Sequence, residues 1–255
     1  MSHIFFTFHH HTMKKINWIF CLLFPLLLSQ LYAQDQNQDW PNLKRFQEQN
    51  AKLMSAVPDK DRVVFMGNSI TEGWLGMRPE FFEGKPYVNR GIGGQTTPQM
   101  LVRFRQDVIQ LRPKTVVILA GINDIAGNTG PSTIEMISDN IMSMAELARA
   151  HNIKVVLCSV LPAFDFPWRP GLEPAQKVVK LNAILKAYAD KHNDIIYVDY
   201  FTPMATAANG LKDELGYDGV HPNKAGYMVM EPILEKAIAS LQDRRKRKKR
   251  KWSRK

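Results

Sequence analysis

The sequence predicts an α/β fold in which one central, mostly parallel sheet lies between two layers of helices. Short apolar runs alternate along the chain with longer amphipathic stretches. The short runs are apolar at consecutive positions, which is typical of strands that are buried on both faces of a parallel sheet. Neither an internal repeat nor a linker rich in Gly or Ser interrupts this alternation, so we expect a single folded domain.

Each element is predicted from the character of its run. Five short, β-branched runs indicate strands, at residues 63–66, 87–89, 115–120, 153–160 and 195–198. Amphipathic spacing indicates helices near residues 41–54, 98–111, 132–151, 174–192 and 223–241. Two long segments, 161–173 and 202–223, show no period, and long loops in such folds commonly carry function.

The formal net charge of +10 comes mainly from the C-terminal end of the chain. Residues 244–255 hold ten Lys and Arg and no acid, whereas residues 34–243 hold 22 basic and 24 acidic residues. A domain with that balance is not typical of a nucleic-acid binder, and we do not expect nucleic acid as a partner. The segment 244–255 is predicted to be a disordered, solvated tail. Contact with anionic lipid, acidic polysaccharide or nucleic acid remains an alternative for it.

Residues 1–33 have the layout of a cleaved secretory signal peptide. Lys14 and Lys15 precede an apolar run at residues 19–28, and polar residues follow. That run is too short to cross a bilayer core of about 30 Å, although a short anchor or a buried helix remains an alternative. Residues 1–12 carry no charge and are interpreted as a start-site artefact. We therefore expect an exported protein, periplasmic or extracellular, whose mature chain has no transmembrane span and whose domain covers residues 34–243.

The chain has two cysteines, and Cys21 lies within the predicted signal peptide. The mature chain would keep Cys158 alone, so no internal disulfide is expected. Cys158 lies in an apolar run and is predicted to be a buried, inert thiol.

Candidate catalytic residues follow the predicted strands, where ligands of open α/β sheets bind. Ser69 follows the first strand and is the candidate nucleophile, which needs a base to accept its proton. His221 is the candidate base. Asp218, three residues earlier, is placed to orient the imidazole and to stabilise its protonated form.

Acyl transfer also needs donors for the oxyanion that develops in the transition state. The backbone N–H of Ser69 and the side-chain amide of Asn123 are two candidates. The third is the backbone N–H of Gly94, with Gly91 and Gly93 as rivals.

Four sequence blocks together resemble those of the SGNH, or GDSL-type, hydrolase family. They are Gly67-Asn68-Ser69-Ile70-Thr71, Gly93-Gly94-Gln95-Thr96, Gly121-x-Asn123-Asp124 and Asp218-x-x-His221. The overall pattern is similar to bacterial relatives of platelet-activating-factor acetylhydrolase. The resemblance implies a flavodoxin-like three-layer sandwich with a five-stranded sheet, and ester hydrolysis through an acyl-enzyme without metal or cofactor. It assigns Ser69, Asp218 and His221 to the triad, and Ser69, Gly94 and Asn123 to the oxyanion hole. Asn68 departs from the family's name-giving motif, which has Asp there.

Within this class we expect removal of short acyl groups, especially O-acetyl groups on carbohydrates. Hydrolysis of lysophospholipid or other lipid esters is the alternative. A non-catalytic module that binds glycans or surfaces on the same scaffold is the alternative from another class. The aromatic residues Trp74, Phe166 and Trp168 are predicted to line the substrate pocket, with ordinary loop packing as the other interpretation.

Overall fold

The computed structural model describes residues 39–57 and 59–252, with side chains described up to Leu241. The elements reported below belong to the unit that begins at Pro41. The predicted signal peptide, residues 1–33, and Cys21 lie outside the described residues. Within the described part of the chain, no helix combines the length and the apolar character needed to cross a membrane.

The sheet has five strands, all parallel, in the order β2-β1-β3-β4-β5. Their bounds are β1 Val63–Gly67, β2 Tyr87–Gly91, β3 Thr115–Leu119, β4 Lys154–Cys158 and β5 Ile195–Val198. Every residue of the central strands β1 and β3 is buried, as their uninterrupted apolar sequences require. The predicted α/β class and all five strands are confirmed.

Helices cover both faces of the sheet. They are α1 Gln47–Ser55, α2 Ser69–Met77, α3 Pro79–Phe82, α4 Thr97–Asp107, α5 Ile122–Ile125, α6 Ile134–Ala150, α7 Pro174–Asp190, α8 Phe201–Met204 and α9 Lys224–Trp252. Helices α4, α6 and α7 contact one another in that order, whereas α2 and α9 pack together. Right-handed crossovers place these two groups on opposite faces of a parallel sheet, which gives the predicted three-layer sandwich.

Local sequence sets several helix starts. A reciprocal capping box joins Thr96 and Gln99 at α4, and the Thr133 hydroxyl accepts a hydrogen bond from the N–H of Met136 at α6. The last helix continues to Trp252, so the backbone of residues 244–252 is helical where the sequence predicts a disordered tail. Lys and Arg are good helix formers, and extension of an existing helix avoids the cost of nucleation.

Cys158 ends strand β4 and is 2% exposed. Burial raises the pKa of its thiol to about 12, so it stays protonated near neutral pH. The prediction that Cys158 is buried is confirmed, and the raised pKa agrees with an inert thiol.

A fully buried arginine holds the carboxyl ends of the first two strands. Arg103 of α4 donates from Nη2 to the carbonyl oxygens of Gly67 (3.0 Å) and Arg90 (2.9 Å). Its Nε donates to Gln95 Oε1 (2.6 Å), and its Nη1 pairs with Asp107 Oδ2 (3.0 Å). Burial lowers the pKa of Arg103, and Asp107 opposes that shift. The guanidinium thereby joins the ends of β1 and β2 and the loop after β2 in one hydrogen-bonded unit.

Two glycines permit close contact between α2 and these strand ends. A Cβ on Gly67 would lie 2.0 Å from Thr71 Oγ1, and a Cβ on Gly91 would lie 2.1 Å from the backbone nitrogen of Glu72. Gly67 and Gly91 are register partners in β1 and β2. The first turns of α2 therefore pack directly onto the sheet edge only because both positions lack a side chain.

We expect Arg103→Met to destabilise the fold by about 3–5 kcal/mol, because it removes a buried cation that four groups share. The exposed Arg105 lies on the same helix, and Arg105→Met is the matched control, expected to stay within about 0.5 kcal/mol of wild type. Urea unfolding followed by circular dichroism measures both. Equal midpoints for the two variants would contradict this role of Arg103.

Candidate active site

Ser69 is the first residue of helix α2, directly after strand β1. The Oδ1 of Asn68 accepts a hydrogen bond from the N–H of Ile70 at 3.1 Å and so caps the helix. An amide oxygen fills this capping role as an aspartate would, without placing a charge beside Ser69. The serine hydroxyl is thereby held at the carboxyl edge of the sheet.

Ser69, His221 and Asp218 form a continuous chain of side-chain contacts. Ser69 Oγ lies 2.9 Å from His221 Nε2, and His221 Nδ1 lies 2.7 Å from Asp218 Oδ2. A carboxylate only accepts hydrogen bonds, so Nδ1 carries the proton and Nε2 presents its lone pair to Ser69. The structure thus brings Ser69 together with His221, which lies 152 positions later in the sequence, and with Asp218.

Asp218 is fixed by hydrogen bonds from its own turn. Its Oδ1 accepts from the backbone N–H groups of His221 (2.7 Å) and Val220 (3.0 Å). Burial alone raises the pKa of Asp218, but these bonds and the bond from the His221 ring outweigh it, so the pKa lies below its ordinary value. The carboxylate therefore stays ionised near neutral pH, so its charge is available to the imidazole beside it.

The site lies where the strand order reverses. Strand β2 lies on one side of β1 and β3 on the other, which is the switch point at which open α/β sheets bind ligands. His221 comes from the long segment after the edge strand β5 and reaches back across the sheet to Ser69. Helix α9 begins just after it, and the Tyr227 hydroxyl donates to the carbonyl of Ile70 at 2.8 Å. This bond ties the helix after His221 to the helix that carries Ser69.

The loop after β2 distinguishes the three candidate glycines. The N–H of Gly91 donates to Asn89 Oδ1 and that of Gly93 to Glu72 Oε2, each at 2.8 Å. Gly94 adopts φ +75°, and its N–H makes no hydrogen bond to any described residue. A Cβ built on Gly93 would lie 3.9 Å from the Ser69 Cβ, which places this loop beside the serine. Of the three, Gly94 has the N–H that is free to bind a ligand.

Asn123 follows strand β3 and is 6% exposed. Its Nδ2 donates one hydrogen bond to the carbonyl of Gln95 at 3.0 Å. A primary amide has two N–H bonds, so the second remains for a ligand. The contact also fixes the Gly94–Gln95 turn against the end of β3.

Comparison with known proteins identifies the family. The model of the GDSL-like lipase/acylhydrolase family matches residues 65–229, which include all four sequence blocks. The chain belongs to this family. It is accordingly a carboxylic ester hydrolase, and the resemblance to SGNH hydrolases noted from the four blocks is confirmed.

Solved and curated relatives agree with the family assignment. A GDSL-like lipase of Bacteroides thetaiotaomicron is 48% identical, covers 79% of this chain and 99% of its own, and has a TM-score of 0.76. Human platelet-activating factor acetylhydrolase IB subunit alpha2 is 24% identical over 211 residues, which are 78% of this chain and 86% of that protein. An uncharacterized lipoprotein of Bacillus subtilis is 36% identical over 81 residues, so that match spans 33% of the lipoprotein and 31% of this chain.

Asp124, in the same block as Asn123, links two elements next to the site. Its carboxylate accepts hydrogen bonds from the Thr97 N–H (3.0 Å) and hydroxyl (2.6 Å), which joins the start of α4 to the end of β3. Burial raises the pKa of Asp124 to about 6, against the opposing effect of the Thr97 hydrogen bonds. With its side chain buried between these two elements, Asp124 holds the structure beside the site together.

Two of the predicted pocket aromatics are not at the surface. Trp74 is 1% exposed and Phe166 is 0% exposed, so the prediction that they line a substrate pocket is wrong. Trp74 lies one helical turn after the buried Ile70 and shares its inward face. The Asp165 carboxylate accepts from the N–H groups of Phe166 and Gly171, and in this turn Phe166 is buried.

Two exposed aromatic rings flank His221. Trp168 is 49% exposed, and its ring centroid lies 6.0 Å from that of the imidazole. Tyr217 is 62% exposed and stacks on His221 at 5.6 Å with an interplanar angle of 12°. The sequence predicts Trp168 as a pocket residue, whereas Tyr217 is not predicted. The position of Tyr217 directly before Asp218 was the available signal.

We expect Asp124 to make stability fall as pH rises from about 4 to about 6. Folded Asp124 retains its proton in that window and the unfolded chain releases it, so the unfolded state binds fewer protons. The full change is about 3 kcal/mol for a shift of this size. Asp124→Asn should lack this dependence, and the exposed Asp139→Asn should keep it. Urea unfolding midpoints at several pH values between about 4 and about 6 measure this pH dependence. Parallel plots of midpoint against pH for wild type and Asp124→Asn would contradict the assignment to Asp124.

Proposed function

We propose that this chain is an exported serine ester hydrolase that acts through an acyl-enzyme on Ser69. The observation that carries the proposal is the continuous contact from Ser69 Oγ to His221 Nε2 and from His221 Nδ1 to Asp218. Such a chain supplies a nucleophile, a base and a group that orients the base.

Each half of the reaction moves one proton through His221. Ser69 Oγ attacks the ester carbonyl carbon while its proton passes to His221 Nε2, and that proton then goes to the departing alcohol oxygen. Water attacks the acyl-enzyme, gives its proton to the same nitrogen and releases the carboxylic acid. The proton finally returns to Ser69 Oγ. Ionised Asp218 stabilises the imidazolium in both halves.

Three N–H groups are proposed to bind the oxyanion. The Ser69 N–H lies at the first turn of α2, where backbone donors have no partner within the helix. The Gly94 N–H and the second N–H of Asn123 complete the set. Each such donor typically contributes about 3–4 kcal/mol to the transition state, because it strengthens as charge develops on the oxygen.

Export is supported by the sequence of residues 1–33, with its paired lysines, apolar run and polar continuation. The lipoprotein name of the Bacillus subtilis relative is compatible with export.

The proposed substrates are carbohydrates that carry short acyl groups, chiefly O-acetyl esters. Trp168 and Tyr217 offer two exposed rings next to the imidazole, and aromatic faces of this kind stack on sugar rings. An acetyl group needs little apolar space beside Ser69, where the Gly93–Gly94 turn lies.

Lipid esters are the second candidate class. The human relative's name specifies platelet-activating factor, and the exposed aromatic residues near His221 also suit contact with an acyl chain. Both substrate classes can lose an acetyl group by the same reaction. The two classes therefore differ in the alcohol portion of the ester, which is a sugar in one and a lipid in the other.

We expect Ser69→Ala and His221→Ala to lower kcat/KM for p-nitrophenyl acetate by at least about a thousandfold each, because each removes a reacting group. Ser55→Ala and His151→Ala change exposed residues of the same types and should keep wild-type rates. Folded variants are first matched by circular dichroism. If Ser69→Ala equals the wild type in rate, the protein is a binding module for these esters.

We expect Trp168→Ala to raise KM for acetylated xylo-oligosaccharides roughly tenfold while leaving p-nitrophenyl acetate almost unchanged, since only the glycan reaches a ring beside the triad. Phe164→Ala removes another exposed aromatic from the same loop and is the control. Initial rates of the wild type are measured separately on both substrates and on a short-acyl lysophospholipid analogue. The comparison decides the substrate class. Fastest turnover of the lipid would reject the carbohydrate proposal.

A further inference from the structure

A basic cavity opens at the end of the sheet opposite the triad. Its volume is about 470 Å³, and its wall includes five basic side chains and one acidic one: Lys60, Arg112, Lys114, Arg149, Lys154 and Asp194. We call it the amino-edge cavity. The catalytic mechanism uses none of these residues.

The topology fixes the position of this cavity. Thr115 and Lys154 are the first residues of β3 and β4, and Asp194 directly precedes β5. All strands are parallel, so these residues lie at the amino-terminal edge of the sheet, whereas Ser69 follows the carboxyl end of β1. The amino-edge cavity and the catalytic triad therefore face opposite ends of the molecule.

Positive charge at the cavity exceeds what its acids neutralise. Lys114 pairs with Asp61 at 2.6 Å, and Arg149 pairs with Asp194 at 3.0 Å. The other three cations, Lys60, Arg112 and Lys154, make no direct ion pair with a described side chain, although Lys154 also helps to lower the pKa of Asp194. Like charges held around one cavity repel, and an anion with several oxygens relieves that repulsion.

The last helix leads from this cavity into the basic end of the chain. Leu241 of α9 lies in the cavity wall, and the helix continues to Trp252. The sequence of residues 244–255 adds ten Lys and Arg and one Trp. Clusters of four or more cations on a helix are typical of segments that bind anionic lipid, and Trp is the residue type that favours the lipid–water interface.

We propose that the amino-edge cavity and the helix that continues from it bind the surface of an anionic phospholipid membrane, with a phosphate headgroup in the cavity. A concave site of this size accepts one headgroup, and the basic sequence that follows along α9 supplies positive charge for neighbouring headgroups. Binding at this end leaves the triad facing away from the bilayer. The enzyme would then be held at a membrane while it acts on esters that reach it from the aqueous side.

The test is co-sedimentation of the full-length chain with vesicles, since that chain retains every segment. Vesicles of phosphatidylcholine alone measure binding that does not depend on lipid charge. Vesicles that also contain phosphatidylglycerol measure the additional binding due to anionic lipid. The cavity variant is Lys60→Ser, Arg112→Asn and Lys154→Ser, which removes only cations that make no direct ion pair. Asn tolerates the left-handed backbone of Arg112 (φ +50°).

The matched control removes three cations near the opposite edge, by Lys177→Ser, Lys180→Ser and Lys224→Ser. Lys177 and Lys180 lie in the first two turns of α7, and Lys224 begins α9. Lys180 and Lys224 contact Glu135 and Glu80 in exposed ion pairs, which contribute little to stability. Both triple variants lose the same net charge, so a general effect of charge changes them equally. Unfolding midpoints confirm that both remain folded.

We expect the wild type and the control to bind phosphatidylglycerol vesicles tightly and to be released as salt rises. The cavity variant should bind at least tenfold more weakly, because each cation near an anionic leaflet contributes about fivefold. Deletion of residues 244–255 should weaken binding further. Equal binding by the cavity and control variants would overturn the role of the cavity.

Competition experiments distinguish a lipid headgroup from other anions that could bind the amino-edge cavity. Inorganic phosphate and an acidic polysaccharide are each titrated as competitors against the vesicles, with duplex DNA as a third ligand. Weak competition by all three supports a lipid surface. Saturable phosphate binding without vesicle binding, or a polymer that binds more tightly than the vesicles, would overturn the membrane assignment.

Discussion

The buried guanidinium of Arg103 is the contact on which the geometry of the catalytic edge depends. It binds the last carbonyl of β1, a carbonyl near the end of β2, and the side chain of Gln95. The Gln95 carbonyl in turn accepts from Asn123 after β3. Three of the four sequence blocks are therefore joined through one side chain and its neighbour. A planar cation with five donors suits this task, because several carbonyl groups converge on one point.

The fourth block reaches the site by a different route. The segment after β5 is long, and His221 must cross from the edge of the sheet to β1. The Asp218 turn fixes the imidazole locally, and the contact between Tyr227 and Ile70 fixes the following helix against α2. Hydrogen bonds thus fix both ends of the short interval from Asp218 to Tyr227, so the long segment after β5 holds the imidazole in a defined position beside Ser69.

The sequence predicts the strands because each is an uninterrupted apolar run. It predicts the candidate triad because short motifs with Ser, Asp and His follow the predicted strands. It does not predict burial at Trp74, Phe166 or Arg103 when each residue type is considered alone. Helical spacing contains part of that information. Ile70 and Trp74 are one turn apart, and Arg103 shares an apolar face with Met100 and Phe104. Phe166 lies in a loop, where no helical spacing indicates which side chains are buried. Its backbone N–H is held by the Asp165 carboxylate.

A fully parallel sheet gives the molecule two chemically distinct ends. At the carboxyl edge, helix starts and turns present N–H donors, capped by neutral or acidic side chains such as Asn68 and Asp218. At the amino edge, the residues around the cavity take no part in the proposed reaction, and the charged ones among them are mostly basic. Since the ends lie on opposite sides of the sheet, charge at one end is largely screened from the other. Charge at the amino edge can therefore change with little effect on the reactivity of Ser69.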